Sequence, residues 1–132
     1  MNSRKKKNLK SLGELEQLVM NHVWECGSVT AEDCRESLAS KWAMKDSTVR
    51  TVLRRLEEKG YVTHEVDGRT YVYKPVDPVQ NVAARAVKQI IDRFCGGSVE
   101  QLLVGMVDND VLDRDQLHDL AMRISRQKED QK

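Results

Sequence analysis

The chain has 132 residues, a length that fits one domain with an appendage and argues against an elaborate multi-domain enzyme. Aromatic residues make up 5% and charged residues 33% of it, so the core must come mainly from aliphatic side chains on helices. Net charge is only +1, but residues 1–75 carry 14 basic against 11 acidic residues, whereas residues 76–132 carry 8 against 10. We infer that the N-terminal part is the one that meets a polyanion such as DNA.

Other function classes are not favoured. No apolar run approaches the roughly 20 residues that cross a membrane, so we expect a cytoplasmic protein. Cys26, Cys34 and Cys95 lack CxxC spacing, which predicts reduced thiols and no disulfide. His22 and Cys26 have a spacing that can hold a metal ion, but we interpret both as core residues and expect neither metal nor cofactor. No nucleophile has a base at a suggestive spacing, which predicts that the chain is not an enzyme.

Two capped helices are predicted first. Residues 11–14 have the form of a capping box, with Ser11 as its first residue, and apolar side chains at helical spacing follow up to Gly27. Thr30 is placed to cap a second helix that ends near Ser40. Val29, between the two, is expected to pair briefly with a later strand.

A third helix is predicted from Ser47 to about Lys59, capped by Asp46 and closed by Gly60. Its apolar positions, three and four residues apart, are Val49, Val52, Leu53 and Leu56. The outer and flanking faces are left to Ser47, Thr48, Arg50, Thr51, Arg54 and Arg55. The helix therefore predicts a row of hydroxyl and guanidinium groups on its solvent side.

The period then changes from helix to strand. Residues 61–66 and 69–75 are two β-rich runs joined by Asp67-Gly68, which predicts a hairpin with a two-residue type I′ turn. Three helices followed by a hairpin is the order of a winged helix.

The C-terminal part is predicted to be helical. A long amphipathic helix begins after Pro78 and stops at Gly96, two shorter helices follow, and the tail from about Arg126 should fray. The apolar stripes of the three helices comprise Val79, Val82, Ala83, Ala86, Val87, Ile90, Ile91, Phe94, Leu102, Leu103, Met106, Leu117, Leu120 and Ile124. Such a stripe needs a partner, and we predict a second copy of the chain; packing on its own winged helix is the alternative.

The fold class predicted is mainly α with a small β-wing: a winged helix-turn-helix domain with a C-terminal helical dimerisation arm. Its parts are a basic arm at residues 1–10, the winged helix at 11–75 and the dimerisation region at 76–132. A dimer would place two third helices one or more DNA turns apart, on a pseudo-palindromic operator.

A DNA-binding surface is predicted because a helix fits the major groove while a hairpin tip reaches a neighbouring backbone or minor groove. The predicted contacts are Ser47, Thr48, Arg50, Thr51, Arg54 and Arg55 on the third helix, Arg69 at the hairpin tip, and Lys10 and Lys45 beside them. Two alternatives stay open: an ordinary solvated helix face, and a winged helix that serves as a protein-binding module without specific DNA binding.

Three segments, Leu15–Trp24, Ser47–Gly60 and Gly68–Pro75, together resemble the penicillinase and methicillin-resistance repressor family, which also includes copper-responsive repressors. The resemblance covers roughly residues 9–125. It implies a homodimeric transcriptional repressor bound to double-stranded DNA at promoters, often those of β-lactam resistance or metal-homeostasis genes and often its own.

Two departures concern how such a repressor would be released. Antibiotic-responsive members are cleaved in the C-terminal arm at an Asn-Phe bond, and residues 103–107 here lack that pair, which puts cleavage in doubt and leaves a regulatory protease open as a partner. Copper-responsive members have a cysteine-rich tail, whereas residues 126–132 contain no cysteine. A copper switch of that type is therefore not expected.

Overall fold

The computed structural model describes residues 10–130, which form six helices and one two-stranded antiparallel sheet. The elements are α1 (Glu14–Cys26), α2 (Ala31–Leu38), α3 (Asp46–Glu58), β1 (Val62–Asp67), β2 (Thr70–Pro75), α4 (Val79–Phe94), α5 (Val99–Asp108) and α6 (Arg114–Asp130). The fold class predicted from sequence is confirmed. The chain divides into two compact units, Met1–Ala83 and Ala84–Lys132, so the boundary falls inside α4 rather than at the end of the hairpin.

The core of the N-terminal unit lies among α1, α2, α3 and the hairpin. Its buried side chains are Val19, Met20, Val23, Val29, Cys34, Leu38, Val49, Val52, Leu53, Leu56, Tyr61, Val62 and Tyr73. Each aliphatic side chain taken fully out of water stabilises the fold by about 1.5 to 3 kcal/mol. All four apolar positions predicted for the third helix belong to this core, which fixes the rotation of α3 about its axis.

The start of α4 belongs to this unit as well. Val82 packs against the core, and the indole Nε1 of Trp24 donates a hydrogen bond to the carbonyl of Asp77 at 3.1 Å. Val82, predicted as a dimerisation residue, is therefore half-buried within its own protomer.

The cap of α1 differs from the prediction. Gly13, not Ser11, is the N-cap, and its backbone N–H donates to the Glu16 carboxylate at 2.8 Å. The same carboxylate accepts a hydrogen bond from Lys59 Nζ at 2.7 Å, and Lys59 also donates to the Ser11 carbonyl at 3.2 Å. The Glu16 carboxylate therefore caps the N-terminus of α1. Lys59, at the end of α3, holds this carboxylate in place.

The predicted cap of α2 is confirmed, while that of α3 is wrong. Thr30 Oγ1 accepts from the Asp33 N–H at 3.1 Å, and the Asp33 carboxylate accepts from the Thr30 N–H at 3.2 Å. Asp46 is the first helical residue of α3 and follows the N-cap Lys45. Its carboxylate forms an ion pair with Arg35 Nε at 2.9 Å, so it joins α3 to α2 instead of capping a helix.

The hairpin forms as predicted, but its turn is shifted by one residue. Asp67 pairs with Thr70, so the two-residue loop is Gly68-Arg69 and not Asp67-Gly68. Of the two loop residues only Gly68 has a positive φ, at +67°, which is the pattern of a type II′ turn rather than type I′. The shift places the Arg69 side chain in the turn itself, at the tip of the wing.

Val29 pairs with the hairpin as expected. The N–H groups of Val29 and Tyr73 donate to each other's carbonyls at 2.9 and 2.8 Å, which adds a short bridge beside β2. The wing is thereby attached to the segment between α1 and α2.

Two cysteines differ in environment. Cys34 is buried, and desolvation, with smaller contributions from Asp33 and Cys26, raises its pKa to about 12. Cys26 is exposed with its Sγ 3.6 Å from His22 Nε2, so its assignment to the core was wrong. Position 26 is the last residue of α1, where the apolar stripe has already left the protein interior.

The C-terminal unit consists of the remainder of α4 with α5 and α6. Ser98 Oγ caps α5 by accepting from the Gln101 N–H at 3.1 Å. Helix α6 continues to Asp130, so the predicted fraying from Arg126 does not occur within the described residues. None of the helices in residues 10–130 combines the length and apolar character that a membrane crossing requires.

Replacing Glu16 by Gln should lower the free energy of unfolding by about 1 to 3 kcal/mol, because a charged hydrogen-bond acceptor is lost between two elements. The Lys59 hydrogen bond, together with the Gly13 N–H, lowers the pKa of Glu16. A lowered pKa means that this stabilisation is complete above the ordinary glutamate pKa and disappears as the pH falls through the folded value.

Urea denaturation of wild type and the E16Q variant from pH 7 to pH 3 measures both effects. The difference between them should shrink as the pH falls. Glu14→Gln, at an exposed neighbouring position, is the control and should differ little from wild type at neutral pH. An equal loss in both variants would show that the contact with Lys59 contributes nothing.

Candidate nucleic-acid interface

The solvent side of α3 carries the predicted hydroxyl and guanidinium row. Ser47, Arg50, Arg54 and Arg55 are exposed, and Thr48 and Thr51 are half-buried. No predicted contact of this helix is enclosed in the core. The row is therefore free to approach a second molecule.

The three arginines of α3 do not share one face. At about 100° per residue, Arg54 is turned only about 40° from Arg50, whereas Arg55 is turned about 140° from it. Arg55 accordingly lines a small depression with Val52 and Lys59 on the α1 side. Arg50 and Arg54 face the wing. The structure thus separates Arg55 from the other two.

Thr51 has its hydroxyl occupied by its own helix. The Oγ1 group donates to the Ser47 carbonyl at 2.8 Å. Its remaining group for contact with a base is the methyl, which suits the methyl of thymine.

A groove of about 770 Å³ lies between α3 and the hairpin. We call it the wing groove; its sides are Arg50, Arg54 and Glu57 of α3 and His64, Tyr71 and Tyr73 of the hairpin, with residues 30–33 at the third side. Arg69 also lines it from the turn. The wing groove brings together three arginines that are separated by up to 19 positions in sequence.

The hairpin side of the wing groove is aromatic. The rings of His64 and Tyr71 are stacked, with centroids 4.2 Å apart and planes 8° apart, and Tyr73 lies 5.5 Å from His64. His64 Nδ1 is 2.8 Å from both carboxylate oxygens of Glu57, which joins β1 to α3. Sequence analysis did not select these side chains. Their alternate positions on each strand, which place them on one face, were the signal that could have identified them.

The pKa of Tyr73 depends on burial and on the charged groups of this groove. Burial raises its pKa above the ordinary value, and the carboxylate of Glu57 and the neighbouring Tyr71 act in the same direction. The charges of Arg50 and Arg54 act in the opposite direction. Burial and Glu57 thus outweigh the two guanidinium groups, which favour the phenolate of Tyr73.

The remaining basic candidates lie at the ends of this unit. Lys45 is exposed at the N-cap of α3. Lys10 is exposed, and its carbonyl accepts a hydrogen bond from the Tyr61 hydroxyl at 2.7 Å, which attaches the start of the described chain to the core. The rest of the predicted basic arm, residues 1–9, lies outside the described residues.

The predicted dimerisation residues differ in their exposure to solvent. Six are large and exposed: Val79, Val87, Ile90, Phe94, Leu120 and Ile124. Ala83 and Ala86 are exposed as well, whereas Leu102, Leu103, Met106 and Leu117 are half-buried. Ile91 is buried, so it already has neighbours within its own protomer. Phe94 retains 75% of its surface, the largest exposure among these apolar side chains.

A family model described as "Penicillinase repressor" matches residues 12–126, nearly the whole described chain. The chain belongs to the penicillinase repressor family. The match spans the winged helix and the three C-terminal helices, so both units of the chain lie within the region that matches the family.

Two individual proteins show about one-third sequence identity to this chain. The chain is 33% identical over 102 residues to "Transcriptional regulator BlaI" of Mycobacterium tuberculosis. The matched segment covers 76% of this chain and 74% of that protein. It is 31% identical over 94 residues to an uncharacterized 16.5 kDa protein of Latilactobacillus sakei, and the matched segment spans 71% of this chain but only 64% of that relative's length.

A solved structure supports the fold of the N-terminal unit. The solution structure of the DNA binding domain of the repressor BlaI has a TM-score of 0.51 and 26% identity, and the match covers 58% of this chain and 93% of that one. The covered fraction corresponds to about one winged helix. The N-terminal unit of this penicillinase repressor family member therefore has the same fold as that domain.

The high pKa of Tyr73 can be measured in this penicillinase repressor family chain by recording phenolate absorbance against pH. We expect Tyr73 to contribute a component that ionises above the ordinary tyrosine range, because burial and Glu57 disfavour its phenolate. Tyr73→Phe should remove this component. Tyr71→Phe, at a position half exposed, should retain it. Retention of the component in Tyr73→Phe would contradict the assignment.

Proposed function

We propose that this chain is a transcriptional repressor that binds double-stranded DNA as a homodimer, with α3 in the major groove and the hairpin tip beside it. It acts in the cytoplasm, where bacterial operators lie, and it works by binding rather than by catalysis. The observation that carries the proposal is the outward row of Arg50, Thr51 and Arg54 on a helix whose opposite side is buried.

The chemistry of the row supports reading of base edges. An arginine can bind guanine through two hydrogen bonds, and a threonine methyl can contact thymine. Arg50 and Arg54 have no ion-pair partner among residues 10–130, so their guanidinium groups remain available. We propose that these two arginines and Thr51 carry sequence preference, while Ser47, Thr48 and Lys45 bind phosphates near the N-terminus of α3.

The wing supplies a contact that does not depend on sequence. Arg69 is exposed in the two-residue turn, whereas Lys74 lies near the far end of β2 and is already paired with Glu65 at 2.6 Å. Arg69 is therefore the basic group of the hairpin best suited to reach a backbone phosphate. Lys10 and Arg55, on other sides of the unit, would add backbone contacts only.

A homodimer accounts for the exposed apolar side chains of α4 and α6. Contiguous apolar surface on a protein in water marks an interaction site, and Phe94 and Ile90 are four residues apart on one side of α4. A second copy of the chain, related by a two-fold axis, covers the same patch on both protomers. It would also present two α3 helices to a pseudo-palindromic operator.

The alternative function, a winged helix that binds only proteins, is not favoured by the family to which the chain belongs. It predicts little dependence of affinity on salt, whereas neutralisation of phosphates makes DNA affinity fall steeply as salt rises. The description of the matching family model refers to penicillinase, which suggests β-lactam resistance genes as targets. We propose these, or related stress genes, as the genes that it regulates.

Selection of bound duplexes from a random pool should recover a two-fold symmetric sequence. Arg50→Ala should then lose about 1 to 3 kcal/mol of discrimination at particular base pairs, because one base contact is removed. Arg69→Ala should weaken all duplexes by a similar factor, because a phosphate contact is lost. Fluorescence anisotropy at several salt concentrations measures both.

Two results would contradict this assignment. Recovery of no common sequence, together with affinity that is independent of salt, would exclude the repressor function. Equal preference of wild type and Arg50→Ala for every duplex would exclude α3 as the reading element.

Replacing Ile90 and Phe94 by Glu should convert the dimer into a monomer and lower operator affinity by about 100-fold or more, because the two half-sites are then no longer linked. Sedimentation velocity measures the mass. Lys88→Glu introduces the same side chain on the polar side of α4, where Lys88 pairs with Asp92, and should remain dimeric. An unchanged mass in the Ile90/Phe94 variant would exclude this face as the interface.

A further inference from the structure

The wing groove has the size and shape of a small-molecule site. Its volume of about 770 Å³ lies within the range of about 300 to 1,000 Å³ that is typical of pockets for organic ligands. A single phosphate needs far less space. The groove therefore offers room for a molecule beyond the phosphate contacts that DNA binding requires.

Charge in the wing groove favours an anion. Of the acids that line it, Glu57 is paired with His64, and the Asp33 carboxylate accepts the Thr30 N–H in the cap of α2. Within the described residues Glu32 is the remaining acid of the lining, and it is exposed. The lining thus has three acids and three arginines, but within the described residues none of the acids forms an ion pair with Arg50, Arg54 or Arg69, whose guanidinium groups stay available to an anion.

The opposite side favours an aromatic ring. His64 covers Tyr71 by parallel stacking, and Tyr71 still exposes half of its surface. Planar aromatic groups pack on such rings in offset or edge-to-face arrangements. An arginine fork binds a carboxylate through two parallel hydrogen bonds. The two sides of the groove therefore select a ring and an anionic group on the same molecule.

We propose that the wing groove is an effector site for a planar aromatic carboxylate, with its carboxylate on Arg50 and Arg54 and its ring against Tyr71. The regulatory consequence rests on the proposed function. Because the same two arginines are proposed to contact DNA, ligand and operator exclude each other. By linkage, the ligand then weakens operator binding by the factor by which DNA weakens ligand binding.

Isothermal titration of the full chain without DNA tests the site directly, with 2-naphthoate as the probe. We expect 2-naphthoate to bind about tenfold or more tightly than the neutral 2-naphthamide and than acetate, which lacks a ring. Arg54→Gln and Tyr71→Ala should each weaken 2-naphthoate by about tenfold. Arg55→Gln, on the other flank of α3 and outside the groove, should bind the probe as wild type does.

Several results would overturn the site. They are no binding of 2-naphthoate, equal affinity for 2-naphthamide, equal affinity for acetate, or an Arg54→Gln variant that binds like wild type. Circular dichroism of each variant establishes that it is folded, so that a loss of binding reports the groove. Arg54→Lys keeps the charge but not the planar fork, and it should bind with intermediate affinity.

Competition against the selected operator duplex tests the regulatory step separately. At about ten times its wild-type Kd, 2-naphthoate should raise the apparent Kd for operator by about tenfold, and the same concentration should raise it only about twofold in Tyr71→Ala. Probe binding without any effect on operator binding would overturn the effector role. A chain that binds the probe but no duplex would refute the proposed repressor function and leave the site intact. A chain that binds operator but not the probe would refute only the site.

Discussion

One-sided burial of α3 is the constraint on which the rest of the N-terminal unit depends. Val49, Val52, Leu53 and Leu56 are almost entirely removed from water, so the helix can be rotated only at the cost of exposing them and burying guanidinium groups. An unpaired buried charge is far more costly than a hydrophobic contact is favourable. The positions of Arg50 and Arg54 on the solvent side therefore follow from packing on the opposite side.

Polar contacts join α3 to the elements that surround it. The Arg35–Asp46 pair joins α2 to its first turn, and the Lys59–Glu16 pair joins α1 to its last. The contact between Glu57 and His64 joins it to the hairpin. The Glu57–His64 contact and the Val29–Tyr73 bridge set where the wing lies. The wing groove, which combines cationic and aromatic sides, exists only because this position is set.

The C-terminal unit presents a different physical problem. Its helices leave Phe94, Ile90 and Ile124 in water although apolar side chains elsewhere in the chain are buried. The N-terminal unit has a contiguous buried core that Val82 at the start of α4 joins, although Trp42 and Val79 stay exposed. The proposed homodimer would take these exposed side chains of the C-terminal unit out of water.

Local sequence by itself determined the helices and strands. It did so through the helical spacing of apolar residues, through Thr30 as a cap and through two β-rich runs around a glycine. These features depend on near neighbours, and the structure contains all of them. It also determined which side of α3 is polar. It failed where a distant residue decides. Lys59 moves the cap of α1 to Gly13, Arg35 takes the carboxylate of Asp46, and strand pairing moves the turn to Gly68-Arg69. Only tertiary structure brings Tyr71 to Arg50 and Arg54, because that distance depends on how α3 and the hairpin pack, which near-neighbour patterns do not encode.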